Sequence, residues 1–131
     1  MQESADRPLE GTRVLVVEDE YFIADDLVRA LRAAGAVPVG PVASVEDAEA
    51  LLDAKKIDAA ILDLNLRGVI ASGLVERVSK ERLPTIVVSG YGEQGLPELT
   101  VNLPRLEKPV DCKLVVRRLA EELSKIPPIA A

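Results

Sequence analysis

Short apolar runs, each stopped by a polar residue, recur along the chain and predict buried β-strands. A continuous apolar run of this length is typical of a strand covered on both faces, as in a parallel sheet packed between helices. A run with two prolines, Val37–Val42, is better suited to a sheet edge because proline donates no ladder hydrogen bond. The other runs and their polar stops are Arg13–Val17 with Glu18, Asp58–Leu62 with Asp63, Pro84–Val88 with Ser89, and Arg105–Glu107 with Lys108.

Apolar residues at helical spacing fill the intervals between these strands. Ser44 with Asp47 forms a helix-start signature, and Asp111 can cap the last helix. Glycines and prolines between Glu93 and Val101 predict that any helix there is short or labile. We expect a loop over Leu66–Ala71. The predicted helices are Tyr21–Ala34, Ser44 to about Lys55, Ser72–Arg82, and a last helix with Val115, Leu119, Leu123 and Ile126 facing inward.

Five strands alternating with four or five helices predict one parallel α/β sheet with right-handed crossovers and helices on both faces. The chain has 131 residues, which suits one domain with one core. We expect residues 1–12 to be a loose leader, residues 13–126 the domain, and residues 127–131 a tail.

Charge and composition exclude several classes of function. The net charge is −6 and no basic stripe is present, which argues against nucleic-acid binding. No apolar run indicates a signal peptide or a membrane span, so we expect a cytoplasmic protein. Histidine is absent, which excludes a histidine base, a histidine metal ligand and a phosphohistidine on this chain. The single cysteine, Cys112, cannot form an internal disulfide, and we expect no redox role for it.

Polar residues that follow parallel strands meet at one edge of the sheet, where open α/β folds place their ligands. Three carboxylates brought together there repel one another, and a hard cation such as Mg²⁺ or Mn²⁺ relieves the repulsion. A lysine and a hydroxyl can hold phosphoryl oxygens. Asp63 would then be a nucleophile that forms an acyl phosphate. The converging residues are Glu18, Asp19, Asp63, Ser89 and Lys108.

Four fragments in this order make residues 12–125 resemble a response-regulator receiver domain of two-component signalling. They are the acidic pair Glu18–Asp19, the acceptor segment Asp63–Gly68, the hydroxyl and glycine Ser89–Gly90, and Lys108–Pro109. The resemblance implies a flavodoxin-like, doubly wound (βα)₅ fold with strand order 2-1-3-4-5. It also implies that Asp63 is the phosphoacceptor and that the bond before Pro109 is cis.

The remaining site roles also come from the resemblance. Asp19 and Asp63 are the expected Mg²⁺ carboxylates, Asn65 contributes its backbone carbonyl, and Glu18 acts through a metal-bound water. Ser89 is the expected switch hydroxyl, Gly90 lies near the phosphate by its backbone, and Lys108 contacts the phosphate. The family usually has a switch aromatic three residues before the lysine, where this chain has Arg105, which we expect to be a surface charge. Tyr91 is a candidate switch aromatic.

Ser89–Gly90–Tyr91 further resembles a receiver subgroup named after a Phe-Ala-Thr-Gly-Tyr motif, whose partners are HWE-type histidine kinases. The expected donor is such a kinase or a histidine phosphotransfer protein. The chain would signal through protein contacts, as a stand-alone regulator, a phosphate shuttle or sink, or part of a hybrid kinase. We expect a monomer or a phosphorylation-dependent dimer, with self-phosphotransfer and autodephosphorylation as its only catalysis.

Two other functions remain as alternatives. An aspartate-nucleophile phosphatase of the haloacid-dehalogenase type needs a second acid two residues after the nucleophile, and Asn65 cannot donate that proton. A degenerate receiver that only binds partners does not need the complete acidic, hydroxyl and lysine set. Both alternatives are therefore less favoured than a phosphoacceptor.

Overall fold

The structure is a computed structural model that describes residues 7–90 and 103–125. The strands are β1 Arg13–Val17, β2 Val37–Val42, β3 Ala59–Asp63, β4 Asn65–Leu66, β5 Val69–Ile70, β6 Thr85–Ser89 and β7 Arg105–Glu107. The main sheet has five parallel strands in the order β2-β1-β3-β6-β7, and β4 and β5 form a separate small sheet. Since β6 and β7 are the fourth and fifth strands of the main sheet, the predicted order 2-1-3-4-5 is confirmed.

Four helices lie within the described residues, close to their predicted positions. The predicted caps are confirmed: Ser44 Oγ accepts from the Asp47 N–H at 3.1 Å, and Asp111 Oδ1 accepts from the Lys113 N–H at 2.9 Å. The third helix ends before Arg82, which has a φ of +55° that a helix does not tolerate. None of these helices is long and apolar enough to cross a membrane. The helices are α1 Tyr21–Ala33, α2 Val45–Ala54, α3 Ser72–Lys80 and α4 Cys112–Ser124.

The central sheet divides the core into two layers. Val14 and Val16 of β1 pack with α1 and α4 on one face, whereas Leu15 and Val17 pack with α2 and α3 on the other. Successive strand residues point to opposite faces, so one apolar run supplies both layers. This explains why the central strands read as continuous apolar runs and why their polar ends stand out.

The segment predicted as a loop over Leu66–Ala71 contains part of a hairpin, so that prediction was incomplete. β4 and β5 pair antiparallel, with Asn65 opposite Ile70 and Leu66 opposite Val69. Arg67 and Gly68 connect them with φ angles of +53° and +88°. Two consecutive positive φ angles are typical of the tight turns that join hairpin strands.

The expectation of a loose leader was wrong for residues 7–12. Leu9 is 1% exposed and belongs to the same core cluster as Leu31 and Ala34. Its N–H donates to the Ala34 carbonyl at 2.9 Å, and the Gly11 N–H donates to the Gly35 carbonyl at 3.0 Å. One apolar residue in a polar stretch has no periodicity, which is why the sequence pattern did not reveal this packing.

Several predictions concern residues outside the described ranges. These are residues 1–6 of the leader, the candidate switch residue Tyr91, the short or labile helix between Glu93 and Val101, Ile126, and the tail at 127–131. The proposed domain limits therefore stay predictions.

We expect Leu9→Ala to lower the free energy of unfolding by about 2–4 kcal/mol, because it leaves a cavity beside the α1 C-terminus. Urea unfolding at fixed pH measures this change. The matched control is Leu114→Ala, whose side chain is partly exposed and should cost less than about 1 kcal/mol. Equal effects of the two substitutions would mean that Leu9 does not belong to the core.

Candidate functional site

The carboxyl ends of four neighbouring strands bring the predicted site residues together. Glu18 and Asp19 follow β1, Asp63 ends β3, Ser89 ends β6 and Lys108 follows β7. Ligand oxygens of Glu18, Asp19 and Asp63 all lie within 4.8 Å of one another. The expected convergence is therefore present for the three carboxylates and Lys108, which form an acidic cluster beside one lysine. The Ser89 side chain instead contacts Arg105.

Asp63 is nearly buried and is held from two sides. Its Oδ2 accepts a hydrogen bond from Lys108 Nζ at 2.8 Å, and its Oδ1 accepts from the Asn65 N–H at 3.0 Å. Burial raises the pKa of Asp63 above its usual value, while the hydrogen bonds from Lys108 and Asn65 act against this rise. The carboxyl group is thus fixed in place, but its negative charge is only partly compensated.

Glu18 is 4% exposed, and its environment also disfavours a negative charge. Its Oε2 accepts from Lys108 Nζ at 3.2 Å and from the Glu20 N–H at 3.1 Å. Burial and the neighbouring charge of Asp63 nevertheless raise the pKa of Glu18 to about 7. Near neutral pH, this carboxyl therefore titrates.

Lys108 is the cation that holds the acidic cluster together. Its Nζ lies 2.8 Å from Asp63 Oδ2, 3.2 Å from Glu18 Oε2 and 3.6 Å from Glu20 Oε1. Burial disfavours the ammonium, but the hydrogen bond and charge of Asp63, together with Glu18, outweigh it and raise the Lys108 pKa. The Lys108 N–H donates to the Ser89 carbonyl at 2.8 Å. The Lys108–Pro109 bond is cis, as the resemblance implies.

The β4–β5 hairpin closes one side of the site, which the sequence reasoning did not anticipate. Asp19 Oδ2 accepts from the Arg67 N–H at 3.0 Å, and Arg67 Nε lies 4.0 Å from the same oxygen. Asn65 Oδ1 accepts from the Gly68 N–H at 2.7 Å. The Arg67–Gly68 pair, a suitable sequence for a tight turn, was the signal available. The resulting cleft of about 320 Å³ is lined by Asp19, Glu20, Asp63, Asn65, Arg67, Gly68, Gly90 and Lys108.

Arg105 is half-buried and contacts a buried side chain at the end of β6, which the expectation of a surface charge did not include. Its Nε donates to Ser89 Oγ at 2.8 Å, and Ser89 is fully buried. Strand β7 pairs with β6 in the register Val87–Arg105, which brings the guanidinium within reach of the end of β6. No pattern within the chain places these two residues side by side, because the contact depends on strand pairing.

Comparison with known proteins agrees with this arrangement. A family model described as the response regulator receiver domain matches residues 14–103. The solution structure of SdrG from Sphingomonas melonis Fr1 is 34% identical, with a TM-score of 0.75, covering 86% of this chain and 97% of that one. The chain belongs to the response regulator receiver domain family.

Other similar structures agree with this assignment. A putative response regulator from Chloroflexus aurantiacus J-10-fl is 25% identical, with a TM-score of 0.77 and coverage of 88% of this receiver domain and 100% of that chain. A CheY-like receiver domain protein from Methanospirillum hungatei JF-1 is 22% identical, covers 88% and 96% of the two chains, and supports the fold with a TM-score of 0.79. No curated protein sequence matches the chain.

The donor set of this receiver domain fits a hard divalent cation. Glu18, Asp19 and Asp63 offer carboxylate oxygens close together, which are the ligands that Mg²⁺ and Mn²⁺ prefer. Lys108 contacts Glu18, Glu20 and Asp63, so one positive charge lies beside several carboxyl groups. A second positive charge in the cleft would relieve this imbalance.

We expect a pH-dependent stability difference between the wild-type receiver domain and its Glu18→Gln variant. The folded-state pKa of Glu18, about 7, exceeds its usual 4.5, so the folded protein retains a proton that the unfolded chain has released. Wild-type stability should therefore fall relative to the variant as pH rises from about 4.5 to 7, by up to about 3 kcal/mol. Urea unfolding in EDTA at several pH values measures it.

Saturating Mg²⁺ provides the control for this measurement. The cation should reduce the pH dependence, because it favours the ionised carboxylates. A stability difference that stays constant from pH 4.5 to 8 in EDTA would contradict the raised pKa.

Proposed function

We propose that this receiver domain accepts a phosphoryl group on Asp63 and signals through protein contacts. The observation that carries the proposal is the buried Asp63 carboxylate, held by Lys108 at 2.8 Å and by the Asn65 N–H at 3.0 Å, at the edge of an open cleft. Such a carboxylate is positioned and desolvated, and it lines the cleft through which a donor would approach, as a nucleophile requires.

In the proposed reaction, a carboxylate oxygen of Asp63 attacks the phosphorus of a phosphohistidine on the donor protein. An O–P bond forms and the N–P bond breaks, and the electron pair of that bond stays on the donor imidazole. The Lys108 ammonium has a flexible stem and can follow the negative charge from the carboxylate to the phosphoryl oxygens. Ser89 supplies a hydroxyl donor to the phosphoryl group, and the backbone of Gly90 lies next to that group.

Asp19 and Asp63 are the proposed direct ligands of Mg²⁺ or Mn²⁺, with the Asn65 backbone carbonyl as a third and Glu18 acting through water. When bound, the cation supplies positive charge that offsets the phosphoryl oxygens. Independently of it, the chain's own residues hold the acceptor: the Asn65 N–H fixes one oxygen of Asp63, and the Arg67 N–H fixes Asp19.

The contacts of Asn65 argue against the phosphatase alternative. Its side chain is an amide, and its Oδ1 is engaged by the Gly68 N–H at 2.7 Å. It therefore has no acidic proton to give to a leaving group. The close contact between Lys108 and Asp63 likewise favours a working acceptor over a degenerate receiver.

The donor that we propose is a histidine kinase, in particular of the HWE type, or a histidine phosphotransfer protein in the cytoplasm. Ser89–Gly90–Tyr91 supports the HWE assignment, with Tyr91 as the proposed switch aromatic. The acyl phosphate would be lost by slow autodephosphorylation. A monomer that dimerises on phosphorylation is compatible with signalling by protein contacts alone.

We expect Asp63→Asn to abolish covalent phosphorylation, because an amide is a far weaker nucleophile than a carboxylate. Intact-mass spectrometry after incubation with acetyl phosphate and Mg²⁺ measures the added phosphoryl group. Asp47→Asn is the matched control, because Asp47 is exposed and contacts Ser44 through its backbone N–H, which the substitution keeps. This variant should retain full labelling. A hydroxylamine-sensitive label on the Asp63→Asn protein would contradict the assignment.

We expect Asp19→Asn to weaken Mg²⁺ binding by roughly tenfold or more, because it removes one charged oxygen ligand from the cleft. Isothermal titration calorimetry at constant ionic strength measures the affinity. Asp47→Asn serves again as the control for the loss of one negative charge. Equal affinities of the two variants would place the cation elsewhere.

A further inference from the structure

The contact between Arg105 and Ser89 assigns a direction to the Ser89 hydroxyl. Arg105 Nε lies 2.8 Å from Ser89 Oγ. A guanidinium has donors and no acceptor, so the serine oxygen must be the acceptor in this hydrogen bond. The single hydroxyl proton of Ser89 is then directed away from Arg105. Ser89 directly follows Val88, which pairs with Asp63 in the sheet.

Burial and a backbone hydrogen bond support this orientation of the Ser89 hydroxyl. The residue is fully buried, so bulk water does not compete for its hydroxyl. Its carbonyl accepts the Lys108 N–H at 2.8 Å, which ties it to the residue whose ammonium contacts Asp63. Strand β7 and the residue after it therefore hold Ser89 at both its backbone and its side chain.

We propose that Arg105 is a positioning residue for phosphoryl transfer, acting through Ser89. By donating to Oγ, it keeps the Ser89 proton pointed at the phosphoryl group arriving on Asp63 and polarises that O–H bond. The inference rests on the proposed phosphoacceptor function. In this positioning role, the effect of Arg105 on the reaction requires the Ser89 hydroxyl. A direct contact of Arg105 with the phosphate, or a purely structural role, would not require it.

The test compares initial rates of phosphorylation by acetyl phosphate in saturating Mg²⁺ for three substitutions. Arg105→Met removes the donor, Arg29→Met removes an equal charge from an exposed site on α1, and Arg105→Gln restores a neutral donor. The glutamine Nε2 is separated from Cα by the same number of bonds as the arginine Nε. Arg105→Met and Arg105→Gln are also made in a Ser89→Ala background, and thermal unfolding checks each fold.

We expect Arg105→Met to lower the rate by about tenfold, the magnitude of one hydrogen bond to a charged group. Arg29→Met should leave the rate unchanged, and Arg105→Gln should recover most of it. In the Ser89→Ala background, Arg105→Met and Arg105→Gln should each change the rate by less than about twofold, because the group that Arg105 positions is gone. Magnesium affinity should be the same in all of these proteins.

Three results would overturn the inference while leaving the acceptor assignment intact. The rate of Arg105→Met could equal that of Arg29→Met. Arg105→Gln could be as slow as Arg105→Met, which would assign the effect to charge. The effect of Arg105→Met could persist undiminished without the Ser89 hydroxyl, which would indicate direct action on the phosphate. Failure of the wild-type protein to be labelled at Asp63 would instead overturn the proposed function, and this inference with it.

Discussion

The structure of the site depends on one ammonium group placed between buried carboxylates. Lys108 Nζ contacts Asp63 and Glu18 at the edge of the sheet, and these carboxylates are only 2% and 4% exposed. Charges removed from water are costly unless they are paired and hydrogen-bonded. Burial raises the pKa of both carboxyl groups, and Lys108 acts against this rise without cancelling it. The cleft therefore favours a further positive charge.

This imbalance links the fold to the proposed chemistry. In the proposed reaction, a cation and a phosphoryl group add charges of opposite sign to the cleft. Lys108 can pair first with the Asp63 carboxylate and then with the phosphoryl oxygens. Removal from water strengthens each of these interactions relative to the same groups at the surface. The backbone donors of Asn65 and Arg67 hold Asp63 and Asp19 in position, so the proposed reaction would need little reorganisation of these carboxylates.

Local patterns predicted the α/β fold class and the residues at the strand ends, whereas the strand order and the residue roles came from the family resemblance. Central strands such as β3 read as continuous apolar runs because both faces are covered, and the polar residue at each end marks the edge where ligands bind. The features that were missed either depend on long-range contacts or lie in segments too short to form a sequence pattern. Leu9 is one apolar residue in a polar segment, the hairpin strands β4 and β5 have two residues each, and Arg105 reaches Ser89 through strand pairing.

By itself, the sequence determined the helices, the strands of the main sheet and the strand ends that carry carboxylates, because apolar periodicity and buried runs are local properties of the chain. The family followed from the resemblance of four short motifs, not from periodicity. Only the tertiary structure decided how the charges are shared: that Lys108 serves three carboxylates, that Glu18 is buried enough to titrate near neutrality, and that Arg105 faces Ser89. Burial and pairing depend on distances across neighbouring strands, which no spacing along the chain specifies.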